Sequence, residues 1–276
     1  MNALDICAGS GIGSWVWERL GGQTVCYVEW DSYCQQILLN RMHDGQLWPA
    51  PIWDDLRTFD GKPWRGRVDF IFGGIPCQPW SVAGHQQGEA DERDLWPDFL
   101  RVLCEAEPRF ALVENVPGLL ARGMGRILGE LAESGYDAEW DCISASAVGA
   151  PHRRDRVWVV AYARGLRRDA GWPTESLQGP GAYGEARKDV ADAPQFTYNG
   201  NKTNRSNSQP EPMQPGRRSC KADRDWWAVE PNVGRVAHGV PARVDRLKAL
   251  GNAWVPQVAE VVMARIAAIL KGADDG

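Results

Sequence analysis

The chain has 276 residues, 43% of them apolar and 24% charged, so it can bury a full core as one large domain or one and a half. The net charge of −5 argues against a polyanionic partner, but residues 1–163 carry 14 Lys and Arg against 23 Asp and Glu, whereas residues 164–248 carry 15 against 10. No apolar run of about 18 residues and no basic-then-apolar N-terminus is readable, so the expectation is a soluble, cytoplasmic protein with no membrane span. The basic middle segment reads either as the footprint of a nucleic acid or as a solvated arginine-rich loop.

In chain order, residues 3–8 form a short apolar strand, followed by the glycine-rich turn Gly9, Ser10, Gly11, Ile12, Gly13 and an amphipathic helix to about Leu20. Residues 24–28 predict a second strand and residues 32–42 a second helix. Further strands are expected over 68–72, 110–113, 138–143 and 157–161, with helices over 96–105 and 118–134. Strands alternating with helices indicate an α/β fold with a doubly wound, mostly parallel sheet. The pattern breaks after about Ala163. Residues 164–225 are rich in Gly, Pro, Asn, Ser and Arg and show no periodicity, as in a small loop-rich unit. Regular structure is expected again after Pro256, where Val258, Val261, Val262, Arg265, Ile266, Ile269 and Leu270 have helical spacing. The expected division is a catalytic and cofactor-binding unit at 1–163, a recognition region and hinge at 164–248, and a terminal segment at 249–276 that packs back on the first unit.

Residues 73–81, G-G-I-P-C-Q-P-W-S, carry the sharpest chemical signal. Cys77 stands between Pro76 and Pro79 after an apolar strand. The two prolines stiffen the turn, and the carboxyl edge of a parallel sheet is where ligands bind. The other six cysteines (Cys7, Cys26, Cys34, Cys104, Cys142, Cys220) are scattered without a C-x-x-C pair, which argues against zinc or a redox motif.

Glycines between a strand and a helix let a ligand approach the backbone, and Glu29, 18 residues after Gly11, can take a ribose hydroxyl. A dinucleotide site is the rival reading. Trp30 either stacks on an adenine or simply packs; Asp55 either meets an adenine amino group or is an ordinary loop carboxylate. Glu114, in F-A-L-V-E-N-V-P, places a carboxylate at the same sheet edge among apolar neighbours, which raise its pKa, or else caps the helix that Pro117 starts. Arg154 and Arg156 alternate with Asp155, so both guanidinium groups are expected to point the same way, toward phosphate, a carbonyl oxygen or the Glu114 carboxylate.

These residues resemble the DNA (cytosine-5) methyltransferases of bacteria and bacteriophages. D-I-C-A-G-S-G-I-G, V-E-W-D, G-G-I-P-C-Q-P-W-S, V-E-N-V, P-H-R-R-D-R and L-G-N-A-W-V-P follow in that family's order over nearly the whole chain except about 165–226. The resemblance implies a mixed, Rossmann-like sheet of the S-adenosylmethionine-dependent kind with a small loop-rich target recognition domain. It implies methyl transfer to C5 of a flipped-out cytosine in double-stranded DNA through a covalent bond from Cys77 to C6. Glu114 would bind N3 and the exocyclic amine, Arg156 would hold the ring O2, and Arg154 would support the cysteine loop.

S-adenosylmethionine would lie across the turn from Cys7 through Ala8, Gly9, Ser10 and Gly11 to Ile12. Glu29, Trp30, Asp55 and Leu56 would hold its adenosine, and Gly74, Pro76, Leu95, Asn252 and Ala253 would line the same pocket. The segment 81–93 resembles the family's closing loop, with Ser81, Gln86 and Arg93 toward DNA. Arg187, Lys188, Lys202, Arg205, Arg217 and Arg218 would meet phosphates or base edges, with Arg235 and Arg246 at a hinge. No metal is called for. A monomer is expected, with a companion restriction endonuclease left open. Departures from the family pattern are Cys7 in place of a phenylalanine, His152 in place of a glutamine, and Trp254 where a small β-branched residue is common. An RNA cytosine-5 methyltransferase of the same fold and a catalytically silent DNA-binding regulator are the alternatives.

Overall fold

The structure, a computed structural model, describes residues 1–76, 94–166 and 242–274. The described strands form one sheet: β1 (Asn2–Ile6), β2 (Gln23–Val28), β3 (Ile52–Trp53), β4 (Phe70–Gly74), β5 (Phe110–Asn115), β6 (Tyr136–Ile143) and β7 (Arg156–Ala163). Their order is β3-β2-β1-β4-β5-β7-β6. The first five pair parallel, while β7 runs antiparallel to both β5 and β6. The sheet is therefore mixed and doubly wound, with its switch point between β1 and β4, the place at whose carboxyl ends such sheets bind ligands.

Central strands in such a sheet are covered on both faces, so they read as continuous apolar runs. β5 is buried at every position, Glu114 and Asn115 included. The described α-helices are α1 (Ile12–Arg19), α2 (Ser32–His43), α3 (Trp96–Ala106), α4 (Gly118–Arg122), α5 (Met124–Glu133), α6 (Arg243–Asn252) and α7 (Pro256–Asp274). On one face, Phe70, Phe72, Leu112 and Val160 pack with Val16 and Trp17 of α1 and with Val258, Val262, Met263 and Ile266 of α7. On the other, Leu4, Ile6, Ile71 and Val113 pack with Phe99 and Leu103 of α3 and Ile127 and Leu131 of α5. Alternation along each strand feeds both layers.

Several expectations change. β3 has no counterpart in the sequence reading, because two residues carry no periodicity. The single helix expected over 118–134 is two, parted at Gly123. Residues 243–252 form α6 rather than irregular chain. Val244–Gly272 is, by length and composition, long and apolar enough to cross a membrane. In the fold, its apolar residues Val258, Ala259, Val262, Met263, Ile266 and Leu270 are buried in the core. The chain divides into two compact units, Met1–Leu177 with Pro231–Gly276, and Gln178–Glu230, the second lying outside the described residues.

Candidate active site

The turn after β1 is built for close approach. Cys7, Gly9 and Gly11 all have positive φ, and a side chain on Gly11 would strike Leu38 and Leu47 at 2.7 and 2.8 Å, so glycine is required there. Over Gly9 the space is open. Arg41 of α2 holds the turn from beneath by donating to the Ser10 carbonyl at 2.6 Å. Ala8 and Ile12 complete the turn, with Ile12 opening α1. Burial pushes the Cys7 thiol well above its ordinary range, making it a packing group rather than a nucleophile.

Glu29 follows β2 at the same edge. Its Oε2 accepts from the Gly9 amide at 2.6 Å and its Oε1 from the Asp31 amide at 2.7 Å. Each oxygen keeps a further lone pair, so a carboxylate fixed this way can still receive a diol. Burial raises its pKa, against the two amide bonds that lower it. Trp30 is 67% exposed, and the Arg57 guanidinium lies 5.0 Å from its ring centroid. Arg57 Nε also donates to Asp55 at 2.9 and 3.2 Å, which holds that carboxyl below its usual range. Leu56 is buried in the core behind Asp55. An exposed aromatic, a carboxylate paired with arginine and a carboxylate fixed by two amides thus follow β2 and β3.

Across the switch point, β4 ends at Gly74, and Ile75 and Pro76 lead to Cys77, the first residue outside the described segment. Asn115 fixes this exit: its Nδ2 donates to the Ile75 carbonyl at 3.1 Å, and its Oδ1 accepts from the Val116 amide at 2.8 Å. Glu114 pairs in register with Gly74. Because β7 is antiparallel, its first residue, Arg156, arrives where β5 ends, and Arg156 Nε lies 2.9 Å from Glu114 Oε1. Burial raises the Glu114 pKa, opposed first by the charges of Arg156 and Arg154 and then by hydrogen bonds from Trp254 and Arg156. Glu114, Arg154, Arg156 and Trp254 line one small cleft with Ile143, Trp158, Val255 and Val258.

The two arginines line the same cleft but end on different partners. Arg154 precedes β7 with a φ of 38°, so strand alternation does not apply to it. Its Nη2 donates to the carbonyls of Gly251 and Ala253 at 2.7 and 2.6 Å, fastening the α6–α7 junction to this edge. Asn252 is exposed at the end of α6, and Leu95 caps α3 beside the core. Cys77, Ser81, Gln86, Arg93, Arg187, Lys188, Lys202, Arg205, Arg217 and Arg218 lie outside the described residues. A more open groove, lined by Gln35, Leu39, Ala50, Pro51, Ile52, Trp53 and Asp54, follows the β3 edge and contains none of the residues that the sequence singles out. Asn115 and Trp254 were not assigned to the site from sequence. A polar residue ending an otherwise apolar strand was the available signal for the first.

Comparison with known proteins accords with this arrangement. A family model described as C-5 cytosine-specific DNA methylase matches residues 1–227. The chain is 34% identical over 197 residues to the Type II methyltransferase M.NgoMIV of Neisseria gonorrhoeae, covering 68% of this chain and 60% of that protein. It is 32% identical over 192 residues to the Type II methyltransferase M.AplI of Arthrospira platensis, covering 68% and 52%. The chain thus spans only part of the length of these relatives. Among solved structures, a DNMT2 protein of Spodoptera frugiperda shares the fold with a TM-score of 0.52 at 20% identity, over 68% of this chain and 56% of that one.

Proposed function

Since the chain belongs to the C-5 cytosine-specific DNA methylase family, we propose that it transfers a methyl group from S-adenosylmethionine to C5 of a cytosine turned out of double-stranded DNA, at sites of defined sequence. The observation that carries the reading is the buried Glu114–Arg156 pair at the sheet edge where the chain leaves β4 for Cys77. A carboxyl with a raised pKa can share a proton with a ring nitrogen near neutrality, and a guanidinium beside it suits a ring carbonyl.

The residues divide the work. C5 of cytosine is a poor nucleophile, so the Cys77 thiolate adds to C6, and Glu114 shares its proton with N3 as the C5–C6 electrons become those of an enamine. A free thiol of pKa ~8.5 is only a few per cent ionised at neutral pH, and cationic neighbours raise that fraction. S-adenosylmethionine, when bound, supplies the methyl group as an electrophile on a sulfonium. After C5 has taken the methyl, loss of the C5 proton restores the double bond and releases Cys77. The turn from Gly9 to Ile12, Glu29, Trp30 and Asp55 fit the adenosine, since the space over Gly9 is open and Trp30 is exposed. Turning the base out of the duplex costs a few kcal/mol, which contacts from the closing loop and the basic segment would offset.

The test is methyl transfer from labelled cofactor to duplex DNA and to tRNA in parallel, with bisulfite sequencing of DNA from expressing cells to read product and target together. Labelled DNA supports the reading; label on tRNA alone replaces it with the RNA reading. Cys77→Ser is expected to abolish both methylation and the trapped complex with 5-fluorocytosine DNA while cofactor binding stays nearly unchanged. Unaltered methylation by that variant would sink the covalent mechanism.

A further inference from the structure

Trp254 stands in the reaction cleft without a role in the chemistry above. Its indole is wedged between the two halves of the site. A Cβ built on Gly13, behind the cofactor turn, would lie 3.1 Å from its Cζ3, and one built on Gly74 would lie 2.9 Å from its Nε1. The ring is held at 5.0 Å and 74° to Trp158 and at 6.0 Å and 51° to Phe72, so the direction of its N–H is set by packing on two sides. The indole lines the same cleft as Glu114, and as a side-chain donor it favours the ionised carboxylate. The Glu114 oxygen on that side is Oε2, 3.2 Å from the same built Cβ, whereas Arg156 is on Oε1.

We propose that Trp254 is a positioning residue of the reaction centre, whose indole N–H holds the second oxygen of Glu114 while Arg156 holds the first. A buried carboxylate with one oxygen fixed can still rotate about its terminal torsion, which is broad. Two donors on opposite oxygens fix the plane, and with it the direction in which Glu114 meets the base. The absence of a side chain at Gly74 is then explained, since an alanine there would stand between donor and acceptor. This inference rests on the reading of Glu114 as the residue that shares a proton with the base.

Among the described residues, the charged groups facing Glu114 are Arg156 at the start of β7 and Arg154 just before it, with Trp254 the neutral donor from the terminal segment. The indole bond favours the ionised carboxylate. Removing it therefore raises the Glu114 pKa, and an activity that needs the protonated form persists to higher pH. Trp254→Phe keeps a ring and deletes the donor. For that variant, the limb of kcat/KM for duplex DNA that falls with rising pH should move up by about half to one pH unit. Its Kd for S-adenosylhomocysteine, measured by fluorescence titration, should stay within about twofold. Gly74→Ala, whose Cβ would press on both the indole nitrogen and Glu114 Oε2 while leaving the indole chemically intact, should move the same limb in the same direction and serves if the phenylalanine variant does not fold. A limb unmoved in whichever variant folds overturns the role of Trp254. Glu114→Gln separates the two levels. If it retains wild-type methylation, the functional reading itself falls; if it is inactive while Trp254→Phe keeps the wild-type profile, only the present inference falls.

Discussion

Asp5 offers a sharp test of how this sheet handles charge. Its side chain leaves β1 toward α1, is 3% exposed, and accepts from Ser14 Oγ at 2.6 Å, whose own oxygen accepts from Thr24 Oγ1 at 2.9 Å. Burial pushes the carboxyl up from 3.8 to about 8, the hydrogen bond from Ser14 opposing and the charge of Glu29 adding to the rise. The folded chain therefore holds this proton through neutrality, while the unfolded chain releases it near pH 4. Between those values the native state binds one more proton than the unfolded one, so the stability contributed by Asp5 is full below about pH 4 and is lost as pH rises toward 8. Linkage caps the slope from one group at about 1.4 kcal/mol per pH unit, or about 3 kcal/mol between pH 5.5 and 7.5, a large part of a typical domain's stability. Asp5→Asn keeps an acceptor for Ser14 and cannot ionise. Urea unfolding followed by far-UV circular dichroism at pH 5.5, 6.5 and 7.5 should show the variant gaining on the wild type by up to that amount. Glu18, Glu29 and Glu114 titrate in both proteins and cancel, as does any fixed cost of placing the amide. A difference that stays constant across the range would refute the reasoning.

Other expectations follow from single contacts. Gly73→Ala would place a Cβ 2.2 Å from the Ile6 carbonyl oxygen, across the β1–β4 pairing. Because backbone cannot yield as a side chain does, thermal unfolding should show a loss beyond the roughly 1–3 kcal/mol of ordinary overpacking. Arg154→Ala removes two charge-assisted bonds to Gly251 and Ala253 and should cost about 2–3 kcal/mol in urea unfolding. Arg154→Lys should recover part of that, because both bonds converge on one nitrogen. Lys248→Ala breaks an ion pair to Asp31 in which the lysine side chain is 61% exposed. Its effect should be below about 1 kcal/mol and should shrink in 1 M salt.

The sheet was legible because its strands are apolar enough to announce themselves, and their ends differ from expectation by only a few residues. β3 escaped because it exists through pairing with β2 rather than through its own two residues. α6 escaped for a different reason: Val244, Leu247 and Leu250 are exposed and, among its described side chains, only Ala249 is buried, so its helical spacing does not mark a core face. At the candidate site, residues that announce chemistry in a short motif were singled out from sequence, Glu29 and Glu114 among them. Those whose meaning lies in a distant partner were not. Asn115 reaches a carbonyl 40 residues away, and nothing near Arg154 in sequence indicates that it turns toward carbonyls 97 and 99 residues ahead.

The reach of Arg154 also bears on how the protein can change. Its guanidinium joins carbonyls 97 and 99 residues ahead to the start of β7, so in the sense of chain entropy the contact closes a loop between two parts of one compact unit. The entropy of closing such a loop grows only with the logarithm of its length; doubling it costs about 0.6 kcal/mol. A change in the number of residues between Arg154 and Gly251 should therefore alter the cost of closure little, provided the strap from Arg154 to Gly251 and Ala253 is kept.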